Sequence, residues 1–168
     1  MSENATNLQR LDLKVLADFA AQAIHFVLLD PTNVVAWADR QIAAGEIPPP
    51  WLIDLSLVNP EDPMAVQSAL RAVPGEPDPQ QSLLLLNALV LRDWRRGRLS
   101  IGRVCGIGWQ LYRDEYERGD DTNAWGVVVE CNGDELDNGF ISQAEMRQII
   151  DFELGRFAGY LPRLPSWV

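Results

Sequence analysis

Three Asp-Pro dipeptides, Asp30-Pro31, Asp62-Pro63 and Asp78-Pro79, punctuate the first half of the chain and constrain its fold more than any other feature. A carboxylate ahead of a proline suits a helix start. The aspartate accepts orphan backbone N–H groups of the first turn, and the proline has no N–H to leave unsatisfied at the first helical position. Helices are therefore predicted to open at Pro31, Pro63 and Pro79.

Ahead of the first pair, Leu16, Phe19, Ala20, Ala23, Ile24 and Val27 recur at helical spacing and form the apolar stripe of an amphipathic helix over roughly residues 9 to 29. Val34, Trp37, Ala38 and Ile42 continue the pattern to a stop near Gly45. A short helix from Pro49 or Pro50 and another from Pro63 to Val73 follow. "VPGEPDPQ", residues 73–80, is linker-like, but the chain before it is small for a separate core, so it reads as a loop within one domain. "QQSLLLLNALVLRDWRR" is apolar on nearly every side, the mark of a buried central helix, and Gly97 ends it. Val104, Ile107, Leu111 and Tyr112 define a helix from Ser100 to Tyr116, in which Gly102 and Gly106 offer close approach to a neighbouring helix.

Val127 to Val129 favour an extended run, and Asn132-Gly133 and Asn138-Gly139 read as turns. With 168 residues, 47% of them hydrophobic, there is material for one sizeable core. The expected fold is mainly α: a single-domain bundle of about six or seven helices over residues 8–168. It carries at most a minor β-hairpin near residues 125–141, behind a disordered N-terminus at 1–7.

"DELDNGFISQAE", residues 134–145, supports two readings. Asp134, Asn138, the Phe140 carbonyl, Ser142 and Glu145 fall at ligand positions of a calcium loop, with Gly139 at its sharp turn. Over these twelve residues and the helix after them, the stretch resembles the loop of the EF-hand family. Position 3 departs from that pattern, because Leu136 has no oxygen to offer, and no partner loop accompanies it. The preferred reading needs no metal: Ser142 as N-cap and Glu145 three residues on make a capping box, with Ile141 and Met146 as its hydrophobic staple.

Charge is distributed unevenly. Residues 114–153 hold twelve acidic and two basic residues, so this quarter accounts for the whole net charge of −10. A field of one sign attracts a basic partner, and Glu117, Asp120, Asp121, Glu130, Asp134, Glu135 and Asp137 are the candidate contacts, with Trp125 as an aromatic anchor among them. Arg92, Arg95, Arg96, Arg98 and Arg103 instead gather around a helix end, where cations offset the macrodipole. "GRLSIGRVCGIGWQLY" can be squeezed into a helix-turn-helix, but a net charge of −10 opposes nucleic acid.

No catalytic signature emerges. His25, the only histidine, lies opposite the apolar stripe of its helix, and no serine elbow or reactive-cysteine context accompanies it. Gly106-Ile107-Gly108 follows no predicted strand and lacks the third glycine of a dinucleotide loop. Cys105 and Cys131 match neither zinc nor redox spacing and read as buried free thiols of a cytoplasmic protein. Neither a cofactor nor a membrane is expected. The arginine-rich helix, the acidic loop and the helix "ISQAEMRQIIDFEL" are together similar in layout to small bacterial immunity proteins. The expected role is an acidic protein-binding module, an inhibitor or immunity-type partner of a basic protein. The alternatives are a degenerate calcium-binding protein or an enzyme without a local signature.

Overall fold

The computed structural model describes residues 12–44, 47–116 and 122–168. Every regular element among them is helical: α1 (Leu13–His25), α2 (Pro31–Ala44), α3 (Pro50–Ser56), α4 (Pro63–Arg71), α5 (Pro79–Arg95), α6 (Ile101–Tyr116), α7 (Trp125–Asp137), α8 (Gln143–Gly155) and a 3₁₀ helix at Ala158–Arg163. The all-helical class agrees with the sequence reading. The predicted N-terminal disorder and the stop at Gly45 fall outside the described residues.

All three Asp-Pro pairs open helices. Asp30 accepts the Thr32 amide at 2.9 Å, Asp62 those of Met64 and Ala65 at 3.1 and 3.0 Å, and Asp78 that of Gln81 at 2.9 Å. Hydrogen bonds from the Thr32 side chain and backbone hold the Asp30 carboxyl below its ordinary value.

Three helices close with the same paired bonds, in which the residue after the C-cap turns left-handed. Gly97 (φ +68°) ends α5, its N–H donating to the Trp94 carbonyl at 2.9 Å and that of Arg98 to Asp93 at 2.9 Å. Gly139 (φ +75°) does the same for α7, with Phe140 donating to Glu135 at 2.8 Å. In α1 the left-handed residue is Val27 (φ +53°), and Leu28 donates to Ala23 at 2.8 Å. Val27 is 81% exposed, so it leaves the apolar stripe in which the periodicity had placed it.

The chain divides into two compact units. The first comprises the chain up to Leu83 together with Arg163–Val168. Here α1 packs on α4, α2 on α3, and both α2 and α3 touch α4 around buried Phe19, Ala20, Val34, Leu55 and Val66. Lys14 ties α1 to the end of α4, its Nζ donating to the Arg71 carbonyl at 2.8 Å while pairing with Asp18 at 2.8 Å. The 73–80 stretch crosses α1 closely: a Cβ on Gly75 (φ +140°) would stand 2.7 Å from that of Lys14.

The second unit is Leu84–Pro162. Its core contains Leu85, Leu86, Leu89, Ile107, Trp125, Met146, Ile150 and Leu154. Arg92 and Arg98 meet the buried Asp93 at 3.1 and 3.5 Å, a pairing distinct from the macrodipole role expected of the arginine cluster. Trp94 Nε1 donates to Asp151 at 2.7 Å, and the Arg147 guanidinium lies 5.2 Å from the Trp94 ring centroid, so a hydrogen bond and a cation–π contact tie α8 to α5.

Two expectations are corrected here. The extended run at Val127–Val129 and the hairpin near 125–141 are replaced by α7. Valine disfavours a helix by only a few tenths of a kcal/mol, and buried Trp125, Gly126 and Val129 supply an inward face that outweighs it. Asn132-Gly133 is accordingly mid-helix, with Gly133 placed so that a Cβ would meet Cys105 Sγ at 3.3 Å. The close helix approach also lies elsewhere than predicted. Among the described residues, nothing beyond its own stretch of helix stands within 4 Å of a Cβ built on Gly102 or Gly106, whereas one on Gly126 would overlap the Gly108 carbonyl. No helix among the described residues is long and apolar enough to cross a membrane.

Candidate functional site

Packing Trp125, Gly126 and Val129 against α6 fixes the rotation of α7. Glu130, Asp134 and Asp137, at i, i+4 and i+7, therefore share a neighbouring stripe. They line a groove of about 330 Å³ whose other wall is Ile101, Gly102, Cys105 and Gly106 of α6. The two glycines leave that wall bare, and among the described residues no basic side chain lines the groove. The Cys105 thiol registers the resulting field: burial first, then the charges of Glu130, Asp137 and Asp134, push it up to about 11. Its Sγ donates to the Val129 carbonyl at 3.7 Å. Cys131, also expected to be buried, is exposed.

On the opposite flank of α7 lies a shallower trough of about 520 Å³, lined by Val128 and Asn132 of α7, by Ile141, and by Glu145, Gln148, Ile149, Phe152 and Glu153 of α8. Phe152 is 79% exposed. Composition gave no sign of this trough. The available signal was the pair Ile149 and Phe152, which fall off the inward stripe of Met146, Ile150 and Leu154.

Of the residues expected to contact a partner, Glu130, Asp134 and Asp137 are brought together in the groove, whereas Glu135 is exposed outside its lining. Glu117, Asp120 and Asp121 lie outside the described residues. Trp125 is a correction. Fully buried, it donates from Nε1 to Asn87 Oδ1 at 3.0 Å, while Asn87 donates to Asn123 Oδ1 at 2.7 Å, so its indole is a core side chain with a polar tether.

The calcium-loop resemblance is not carried into a loop. Residues 134–137 form the last turn of α7, and the Asp134 carbonyl accepts from the Asn138 backbone and side chain at 3.0 and 2.7 Å. Gly139 is the helix stop, and Phe140 is 80% exposed. Ser142 and Glu145 form the capping box: the Glu145 carboxylate accepts the Ser142 amide at 2.7 Å, and Ser142 Oγ accepts the Glu145 amide at 3.2 Å. The Ser142 amide first, and then the Ser142 hydroxyl, which donates to the same carboxylate at 2.8 Å, hold the Glu145 carboxyl below its ordinary value. Among the described residues no three His, Cys, Asp or Glu side chains are grouped to hold a metal ion. No family model, curated protein or solved structure matches the chain.

Proposed function

We propose that the protein is an acidic binding module for a basic protein partner. The convergence of Glu130, Asp134 and Asp137 on a groove that no basic side chain among the described residues lines carries this reading. Three carboxylates along two helical turns suit lysine or arginine side chains, and a field of one sign favours encounter with a basic surface over an acidic one. Masking such a surface is the task of an inhibitor or immunity-type protein. The free thiols suit a reducing compartment such as the cytoplasm.

The test separates a built site from general attraction. Hexalysine is titrated into the protein and into two variants of equal charge change, Glu130→Gln/Asp134→Asn/Asp137→Asn and Asp39→Asn/Asp54→Asn/Glu61→Gln. The second set lies on exposed positions of the first unit, itself rich in carboxylates. Groove neutralisation should weaken binding roughly tenfold and abolish amide shifts at Gly102, Gly106 and Gly133, while the control set has little effect. Equal losses in both variants would reduce the reading to bulk charge.

A further inference from the structure

We infer that the first unit holds a binding slot for a neutral, flat aromatic group, and that the chain's own Trp167 occupies it as a displaceable plug. The inference is independent of the acidic groove, which belongs to the other unit. Each of α1 to α4 gives side chains to the slot, among them Ala17 and Ala20 from α1, Val34 and Trp37 from α2 and Trp51 from α3. Trp167 completes the lining from the opposite end of the chain, because Arg163–Val168 belongs to the first unit and not to the one formed by the residues just before it.

Chemistry selects the class of ligand. Every described residue that lines the slot is Leu, Ala, Val or Trp, so a charge buried there finds no partner and the slot rejects it. Geometry selects a ring. The Trp167 ring centroid lies 5.6 Å from that of Trp37 at an interplanar angle of 36°, a tilted pair in which Trp37 already receives an indole. The space left beside these rings is about 10 Å³, close to the least that holds one water molecule, so no second ring enters while Trp167 stays. What retains the plug is slight. Trp167 is half-buried, lies beyond the last helical residue, Arg163, and among the described residues its indole donates no hydrogen bond. Trp125 shows the contrast, fully buried and tethered to Asn87. A terminal side chain held by ring contact alone gives way to a free ligand of the same shape by mass action, and an apolar slot emptied of its side chain stays dry and takes up small apolar molecules.

Indole is the probe, and indoleacetate, the same ring carrying a carboxylate, is the control. Full-length Trp167→Ala should melt below wild type, and indole should raise its melting temperature while shifting the amides of Ala17, Ala20 and Val34. Wild type should need at least about tenfold more indole for the same shifts, since its slot is open only in the fraction of molecules whose Trp167 is displaced. Indoleacetate should do neither at matched concentration. Failure of indole to stabilise the variant, equal affinity of variant and wild type, or equal binding of indoleacetate overturns the inference. Should Trp167→Ala not fold, wild type decides: saturating indole should move the Trp167 Nε1–H resonance together with the Ala17 and Ala20 amides. A Trp167 signal that stays in place then overturns the inference, whether or not the amides move.

Discussion

Val27 occupies a conformation that its own side chain opposes. At φ +53° a β-branched residue crowds its following carbonyl, at a cost of about 1–2 kcal/mol, and with 81% exposure it gains little packing in return. Val27→Gly should therefore raise stability by about 1 kcal/mol, seen as a higher urea midpoint with unchanged slope. Cys105 makes a second case. Its thiol is raised from 9.0 to about 11, so the folded chain keeps a proton that the unfolded chain releases. The corresponding stability is complete below about pH 9 and is lost as pH rises through 11. Wild type should lose more stability than Cys105→Ala between about pH 8.5 and pH 11 in thermal melts, and iodoacetamide at pH 8 should modify Cys131 first. The sequence did not reveal which cysteine was buried, because the relevant neighbours, Val129 and Glu130, belong to a helix that valine propensity concealed.

The pairing of α6 with α7 depends on two glycines and sets what both flanks of α7 present. An alanine inside a helix ordinarily gains about 1 kcal/mol over glycine. At Gly106, with open space around it, Gly106→Ala should show that gain in chemical denaturation. Gly126→Ala should instead destabilise by about 1–3 kcal/mol, because its methyl group overlaps the Gly108 carbonyl and neither backbone can yield cheaply. A stabilised Gly126→Ala would refute the close crossing. Helix starts were legible because Asp-Pro and Ser-x-x-Glu act within one turn, and Asp30, Asp62, Asp78 and Ser142 all cap as their neighbours dictate. Glycine was ambiguous for a physical reason: the same residue serves a turn (Gly139), a helix crossing (Gly126) or a bare groove wall (Gly102), and only the packed partner distinguishes them.

Across the molecule, charge was legible and concavity was not. The acidic excess of residues 114–153 is a sum over the chain, but its use depends on rotation: Glu130, Asp134 and Asp137 converge, Glu135 turns away, and Trp125 points into the core. That rotation follows from the crossing of α6 and α7, and it carries a genetic consequence. Every single-base missense change in a glycine codon introduces a side chain with a Cβ, so at position 126 no one-step substitution escapes the overlap with Gly108. A Cβ at Gly102 or Gly106 meets no such obstacle among the described residues, so that wall of the groove is free to drift where position 126 is not.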